Sequence, residues 1–336
     1  MRDNDSATPV TAIAVPPTVN TTPAGSTTGS TGSSTGAGSA PPPGGSGGSA
    51  PRALTGTLLA SLGVVAFSLT FPSTAWGLES FGPWSLVAAR GVLAAVVAAG
   101  FLVAGRVRIP DRAHWAGLAV VGAGVVIGFP MLTTLALETS TTSHAAVVVG
   151  LLPLTTSVCS ALRTGQWPSG RFWGAALAGA SVVGGFTVFQ SGGVVSASDL
   201  YLFAALLVCA AGYTEGGRLA RLIPGWQVVG WALVLCLPVT VVGGGVALAF
   251  EPVRWTAHGA IGLVWVALGS TFFGLYVWYR GMAVIGVARA SQLQLAQPLL
   301  TLVWSVGLLG EHLSPAAPLA AVAVLACIAV TQRARR

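Results

Sequence analysis

From residue 54 onward the sequence is a succession of apolar stretches, separated by short breaks that hold Gly, Pro and nearly all the charge. A hydrocarbon core about 30 Å thick needs roughly 20 apolar residues per helix. Ten stretches meet this need, at about 54–77, 83–105, 114–137, 143–162, 172–190, 199–217, 226–250, 257–279, 289–309 and 315–331. The pattern therefore predicts an all-α, polytopic membrane protein with ten transmembrane helices. Composition agrees with this. Of 336 residues, 53% are hydrophobic and 7% are charged, where soluble domains carry about 25% charged residues.

The same composition excludes several functions. All 16 basic residues are Arg. Without Lys there is no Walker A phosphate loop and no Schiff-base chemistry. The Arg residues are scattered between apolar segments, so the net charge of +7 does not form a nucleic-acid stripe. Cys159, Cys209, Cys236 and Cys327 each lie inside an apolar run, without a CxxC pair or a His at ligand spacing. They read as small apolar residues, with no metal site and no cofactor implied. An intramembrane enzyme needs a nucleophile with a base at the same depth; Ser181, the best candidate, has no in-span His.

Residues 1–52 are built from Thr, Ser, Gly, Ala and Pro and hold no apolar run long enough for a signal-peptide core. Such a segment buries too little apolar surface to offset chain entropy, and it is expected to be a disordered tail. With ten spans and a cytoplasmic N-terminus, Arg106, Arg108, Arg112, Arg163, Arg171, Arg218, Arg221, Arg280, Arg289, Arg333, Arg335 and Arg336 all fall inside. Only Arg254 falls in an outer loop, while Glu79, Glu138, Asp199, Glu251 and Glu311 fall at the outer rim. This segregation satisfies the positive-inside rule and predicts an inner (plasma) membrane protein with both termini cytoplasmic.

The two halves match without gaps at an offset of 145 residues: Pro153 on Pro298, Thr156 on Thr301, Ser160 on Ser305, Gly165 on Gly310, Gly117 on Gly262 and Gly124 on Gly269. The chain thus divides into a first repeat over 53–190, a second over 191–331 and a basic end over 332–336. Five spans per repeat is an odd number, so the second copy must lie inverted relative to the first. Inverted repeats are a recurring construction of secondary transporters, with the substrate site at the repeat interface.

The stretch Gly286-Val287-Ala288-Arg289-Ala290-Ser291, then Gln297-Pro298, then Leu309-Gly310-Glu311-His312-Leu313-Ser314-Pro315 resembles the end-of-repeat pattern of the drug/metabolite transporter superfamily. The match is to proteins with two EamA-type domains. In the first half the counterpart runs from Ser143 through Leu152-Pro153 to Gly165-Gln166, and Arg90 stands where the family carries an Arg in its second helix. The resemblance covers 54–331. It implies ten helices around a central cavity, alternating access, and movement of small polar metabolites, often outward, driven by a gradient or by exchange. Gln166 departs from the pattern, since the second half has an acid, Glu311, at that place. Pro153, Pro298, Gly165, Gln166, Gly310 and Glu311 are the motif and gating candidates.

Ionisable groups inside spans are costly and need a reason. Arg90 reads either as an anion contact in the cavity or as a structural Arg that snorkels or pairs with Glu79 or Glu138. Glu215 reads as a coupling carboxylate or as a partner of Arg218. On the ninth span Ser291, Gln294, Gln297, Thr301 and Ser305 recur on one face, which lines a cavity or bonds neighbouring helices. Pro298 lacks a backbone donor and frees a carbonyl one turn earlier. Tyr213 and Tyr276 complete the cavity candidates. Glu138 and His144 are expected to be solvated. The resulting expectation is a secondary active transporter, an exporter of amino-acid-like or related small metabolites, with proton or counter-substrate coupling. A channel or a solute sensor is the alternative.

Overall fold

A computed structural model describes residues 49–165, 169–190, 195–285 and 293–333. Eight helices are long and apolar enough to cross a bilayer: α1 (Ala53–Leu78), α2 (Pro83–Ala104), α3 (Arg112–Leu137), α4 (Thr142–Thr164), α5 (Gly170–Gln190), α6 (Ala197–Leu219), α7 (Gly225–Phe250) and α8 (Ala257–Met282). Two shorter apolar helices, α9 (Gln297–Leu309) and α10 (Ala316–Val330), bring the described number to ten. Large apolar side chains such as Val242 (68% exposed) and Leu319 (71% exposed) face outward, as a lipid solvent permits.

The spans follow the hydropathy closely, and the differences lie at polar ends. Asp199 belongs to the first turn of α6 because Ser196 caps it: the Ser196 hydroxyl accepts from the Asp199 N–H, and the Asp199 carboxylate accepts from the Ser196 N–H. Hydropathy alone starts this span at residue 199 and leaves Ser196 in the preceding loop. The helix leading into α1 starts at Ser49, inside the expected tail, with Pro51 in its first turn where a missing donor costs little. The rest of that tail, Gln166, the Gly286–Ser291 stretch and 334–336 lie outside the described residues.

Packing interleaves the two repeats. α1 packs on α8 and α3 on α6; α4 packs on α6 and α1 on α9; α2 pairs with α7, α5 with α10, and α4 with α9. Exchanging each helix for its counterpart five places on leaves this pattern unchanged. The symmetry extends to fine structure. α3 contains a π-helical segment at Gly122–Gly128 and α8 one at Trp265–Gly274. α4 ends at Gly165 and α9 at Gly310, each left-handed, with φ of 68° and 65°. Only glycine enters that region without a steric penalty, which explains why both copies keep it.

Close approach within these pairs rests on glycine. At Gly124 of α3 an added Cβ would lie 2.4 Å from the Val208 carbonyl oxygen and 3.1 Å from the Gly212 Cα of α6. Backbone cannot yield there. Gly124→Ala is expected to destabilise the protein by about 1–3 kcal/mol, as overpacking does, seen as a lower Tm of the purified protein. Gly243→Ala, whose Cβ meets nothing within 4 Å, should leave the Tm unchanged or slightly raised.

Candidate functional site

α4 and α9 are both broken. α4 consists of Thr142–Val149 and Leu152–Thr164, with a turn at 150–151. α9 begins after a turn at 295–296, the positions that correspond at the repeat offset. Pro153 and Pro298 occupy the first turns after these breaks. A proline there removes an i→i−4 donor, and the chain turns instead of continuing straight. The breaks meet: a Cβ on Gly150 would lie 3.6 Å from the Pro298 ring. The two discontinuous helices therefore cross where their backbones are interrupted.

α1 is interrupted at Leu69, and Pro72 has no N–H to offer the Ser68 carbonyl. That carbonyl accepts from the Thr301 hydroxyl at 2.9 Å, while the Ser68 hydroxyl accepts from Trp304 Nε1 at 2.9 Å. Thr301 is buried and joins α9 to α1. Its counterpart Thr156 has an enclosed hydroxyl without a partner among the described residues. The reason is local. α6 contains no proline and is one unbroken helix, so it offers Thr156 no such carbonyl.

Arg90, on α2, donates from Nε to the Thr271 hydroxyl of α8 at 2.9 Å. Thr271 in turn donates to the Val266 carbonyl, five residues back within the π-helical segment, at 2.6 Å. Tyr213 of α6 lies within electrostatic reach of Arg90, Cys209 and Tyr279. Arg90, Tyr213 and Tyr279 sit deep in the bundle, yet each keeps part of its surface accessible. Arg90 pairs with neither Glu79 nor Glu138: Glu79 pairs with His258 at 3.4 Å, and Glu138 is exposed.

The other candidates divide. Tyr276 accepts from Arg280 at 3.1 Å and packs near Phe101 and Trp226, at the α2–α7–α8 junction. Tyr279, not among the candidates named from the sequence, is the α8 tyrosine within electrostatic reach of Tyr213. Gln294 and Gln297 are half-buried at the α9 break, and the Gln297 carbonyl accepts from Thr301 at 3.0 Å.

Glu215 is buried between two guanidinium groups. Its Oε1 accepts from Arg218 Nε and Nη2 at 2.8 and 2.6 Å, and its Oε2 from Arg163 Nη2 of α4 at 3.1 Å. Gly117 of α3 makes room, since a Cβ there would lie 2.7 Å from Oε1. Glu311 is equally occupied: Oε1 accepts from the Thr142 N–H (2.8 Å) and hydroxyl (2.6 Å), and Oε2 from the Ser143 N–H (3.1 Å) and hydroxyl (2.6 Å). It caps α4 from the opposite repeat, where the exposed donors and the helix dipole favour a carboxylate.

His144 overturns its expectation of solvation. It is buried, stacks on Phe186 at 5.3 Å, and donates from Nε2 to Asp199 Oδ1 at 2.6 Å. This contact joins α4 to α6 at the end opposite Arg163 and Glu215. The signal for it was weak, because His144 and Asp199 are 55 residues apart and each stands at a span boundary. Among the described residues, no three His, Cys, Asp or Glu side chains are grouped to hold a metal ion.

Two interleaved inverted repeats around crossed, broken helices have the construction of a membrane transporter. The chain belongs to the EamA-like transporter family, whose model matches residues 54–188 and 196–332. This is a family of transporters, not enzymes. A relative in Bacillus subtilis (strain 168), the uncharacterized transporter YdeK, is 40% identical over 275 residues, covering 81% of this chain and 95% of its own. A solved crystal structure with 22% sequence identity covers 82% of this chain and 97% of its own, with a TM-score of 0.57, and shares the fold.

Two stability measurements test these contacts. Glu311→Ala leaves the donors at the start of α4 without their acceptor and is expected to cost about 1–3 kcal/mol, read by thermal unfolding. A double-mutant cycle with His144→Ala and Asp199→Ala should show a coupling of about 0.5–3 kcal/mol; additive losses would mean that the pair contributes no joint stabilisation.

Proposed function

We propose that this chain is a secondary active transporter that exports small polar, amino-acid-like metabolites by alternating access, driven by a proton gradient or by a counter-substrate. The observation that carries the proposal is the crossing of α4 and α9 at their breaks, within a pattern of contacts that exchange of the repeats preserves. Two equivalent arrangements of such repeats give two openings of similar energy around one site. Irregular backbone at membrane depth is tolerated only inside protein or against a water-filled cavity, which suits a binding site at the crossing. Arg90, Tyr213, Gln294 and Gln297 are the residues proposed to line the path, with Pro153, Pro298, Gly165 and Gly310 permitting the bending. Residues 53–190 and 191–331 act as the two moving halves.

The arginine-rich rim faces the cytoplasm in this proposal, with both termini on that side, and the membrane is the inner (plasma) membrane. Fusions of a cytoplasm-active and an exterior-active reporter to each terminus test the orientation; activity of the exterior reporter reverses it.

Overexpression in bacterial cells, with metabolites profiled in medium and cytosol, supplies the compound for reconstitution. In proteoliposomes a carrier shows trans-stimulated counterflow and a channel does not. Pro153→Ala and Pro298→Ala, by restoring the missing donors and straightening α4 and α9, are expected to slow counterflow about tenfold while the Tm stays near that of the parent protein. Undiminished counterflow in the double variant would remove the breaks from the mechanism.

A further inference from the structure

We infer that Arg90 forms the anion subsite of the transport path and that the protein accepts ligands bearing a single carboxylate. The inference rests on the transporter reading and deepens it.

A guanidinium is charged at every physiological pH, and its charge at this depth must be balanced. The carboxylates of the described residues are otherwise engaged or remote. Asp199 holds His144, Glu215 holds Arg163 and Arg218, Glu79 pairs with His258, and Glu311 caps α4. Glu251 accepts from the Trp84 and Ser85 N–H groups at the start of α2, at 3.2 and 2.7 Å. Asp111 and Glu138 are exposed at the helix ends. Among the described residues, then, no acid reaches Arg90.

The guanidinium is nonetheless oriented. The relay from the Val266 carbonyl through Thr271 fixes Nε alone. Among the described residues the two Nη groups have no hydrogen-bond partner, and they present the parallel N–H fork that matches a carboxylate. π-helical segments frequently mark functional sites because they release a carbonyl from the regular ladder. Here Val266 uses its carbonyl to aim an arginine. Tyr213, on α6, lies within electrostatic reach of the guanidinium and offers a hydroxyl. One cation and neutral hydroxyls suit one negative charge. A dianionic phosphate would leave a buried charge unmatched, and a cationic ligand would be repelled.

The test uses purified full-length protein in lipid nanodiscs and thermal unfolding followed by tryptophan fluorescence. The probes are leucine, phenylalanine, threonine, pyruvate and benzoate, each paired with its amide, together with inorganic phosphate. The expected result is a rise in Tm with at least one carboxylate and none with its amide. Arg90→Gln should weaken that carboxylate by at least about tenfold, with Arg90→Lys intermediate because a point charge replaces the fork. Thr271→Val, which releases Nε without removing the charge, should weaken it less than Arg90→Gln. If Arg90→Gln does not fold, the carboxylate–amide comparison on the parent protein still decides.

Equal response to an amide, a response to phosphate alone, no response to any carboxylate, or full affinity in Arg90→Gln overturns the inference. Counterflow keeps the two readings apart. Carboxylate binding without trans-stimulation retires the transporter reading and leaves the subsite. Trans-stimulated flux of an uncharged or cationic compound does the reverse.

Discussion

The backbone's need for hydrogen bonds in lipid governs the rest of this structure. An unbroken helix meets that need within itself, as α2, α5 and α6 do. Each interruption must be repaired by a neighbour, and the repairs connect the repeats. Pro72 frees the Ser68 carbonyl, and Thr301 of the second repeat answers it. The π-helical segment of α8 leaves Val266 to Thr271, which holds Arg90 of the first repeat. The bare start of α4 is answered by Glu311 from beyond α9. Breaks that bending requires are thus also the places where one half grips the other.

The acids follow the same logic. Glu251, Glu311 and Asp199 all lie at helix N-termini: α2, α4 and α6 in turn. Those N-termini share a rim, because successive spans alternate in direction. Partial positive charge gathers there, and carboxylates from loops neutralise it. The acidic rim seen in the sequence therefore reflects capping. It also takes Glu311 and Glu215 out of the pool of free carboxylates, since each already accepts three or four hydrogen bonds.

Ten spans, their order and the inverted repeat were legible because each depends on local signals: run length, charge at the breaks, and Gly and Pro at a fixed offset. The turns at 150–151 and 295–296 were legible for the same reason, through Pro153 and Pro298. The site was legible only in part. Arg90 was marked out by the cost of its depth, but its partner Thr271 was not, since a Thr in an apolar helix ordinarily bonds its own backbone. The choice between Tyr276 and Tyr279 depends on the rotation of α8, which its all-round apolar sequence does not encode. His144 looked like a boundary residue because its partner lies in a helix that packs beside α4 only after the repeats interleave.

The repeats are symmetric in backbone but not in chemistry, and this difference has an energetic consequence. α4 is joined to α6 by a buried His144–Asp199 pair at one end and by Arg163 with the buried Glu215 at the other. The equivalent contact of α9 with α1 uses neutral donors, Thr301 and Trp304, on Ser68. Taking the partner from a buried carboxylate costs more than breaking a neutral hydrogen bond, because an uncompensated charge is left behind. The α4–α6 contact is therefore the stiffer of the two. If the halves rock against each other, the contact of α9 with α1 is the one that yields more readily, and the contact of α4 with α6 is the one that resists.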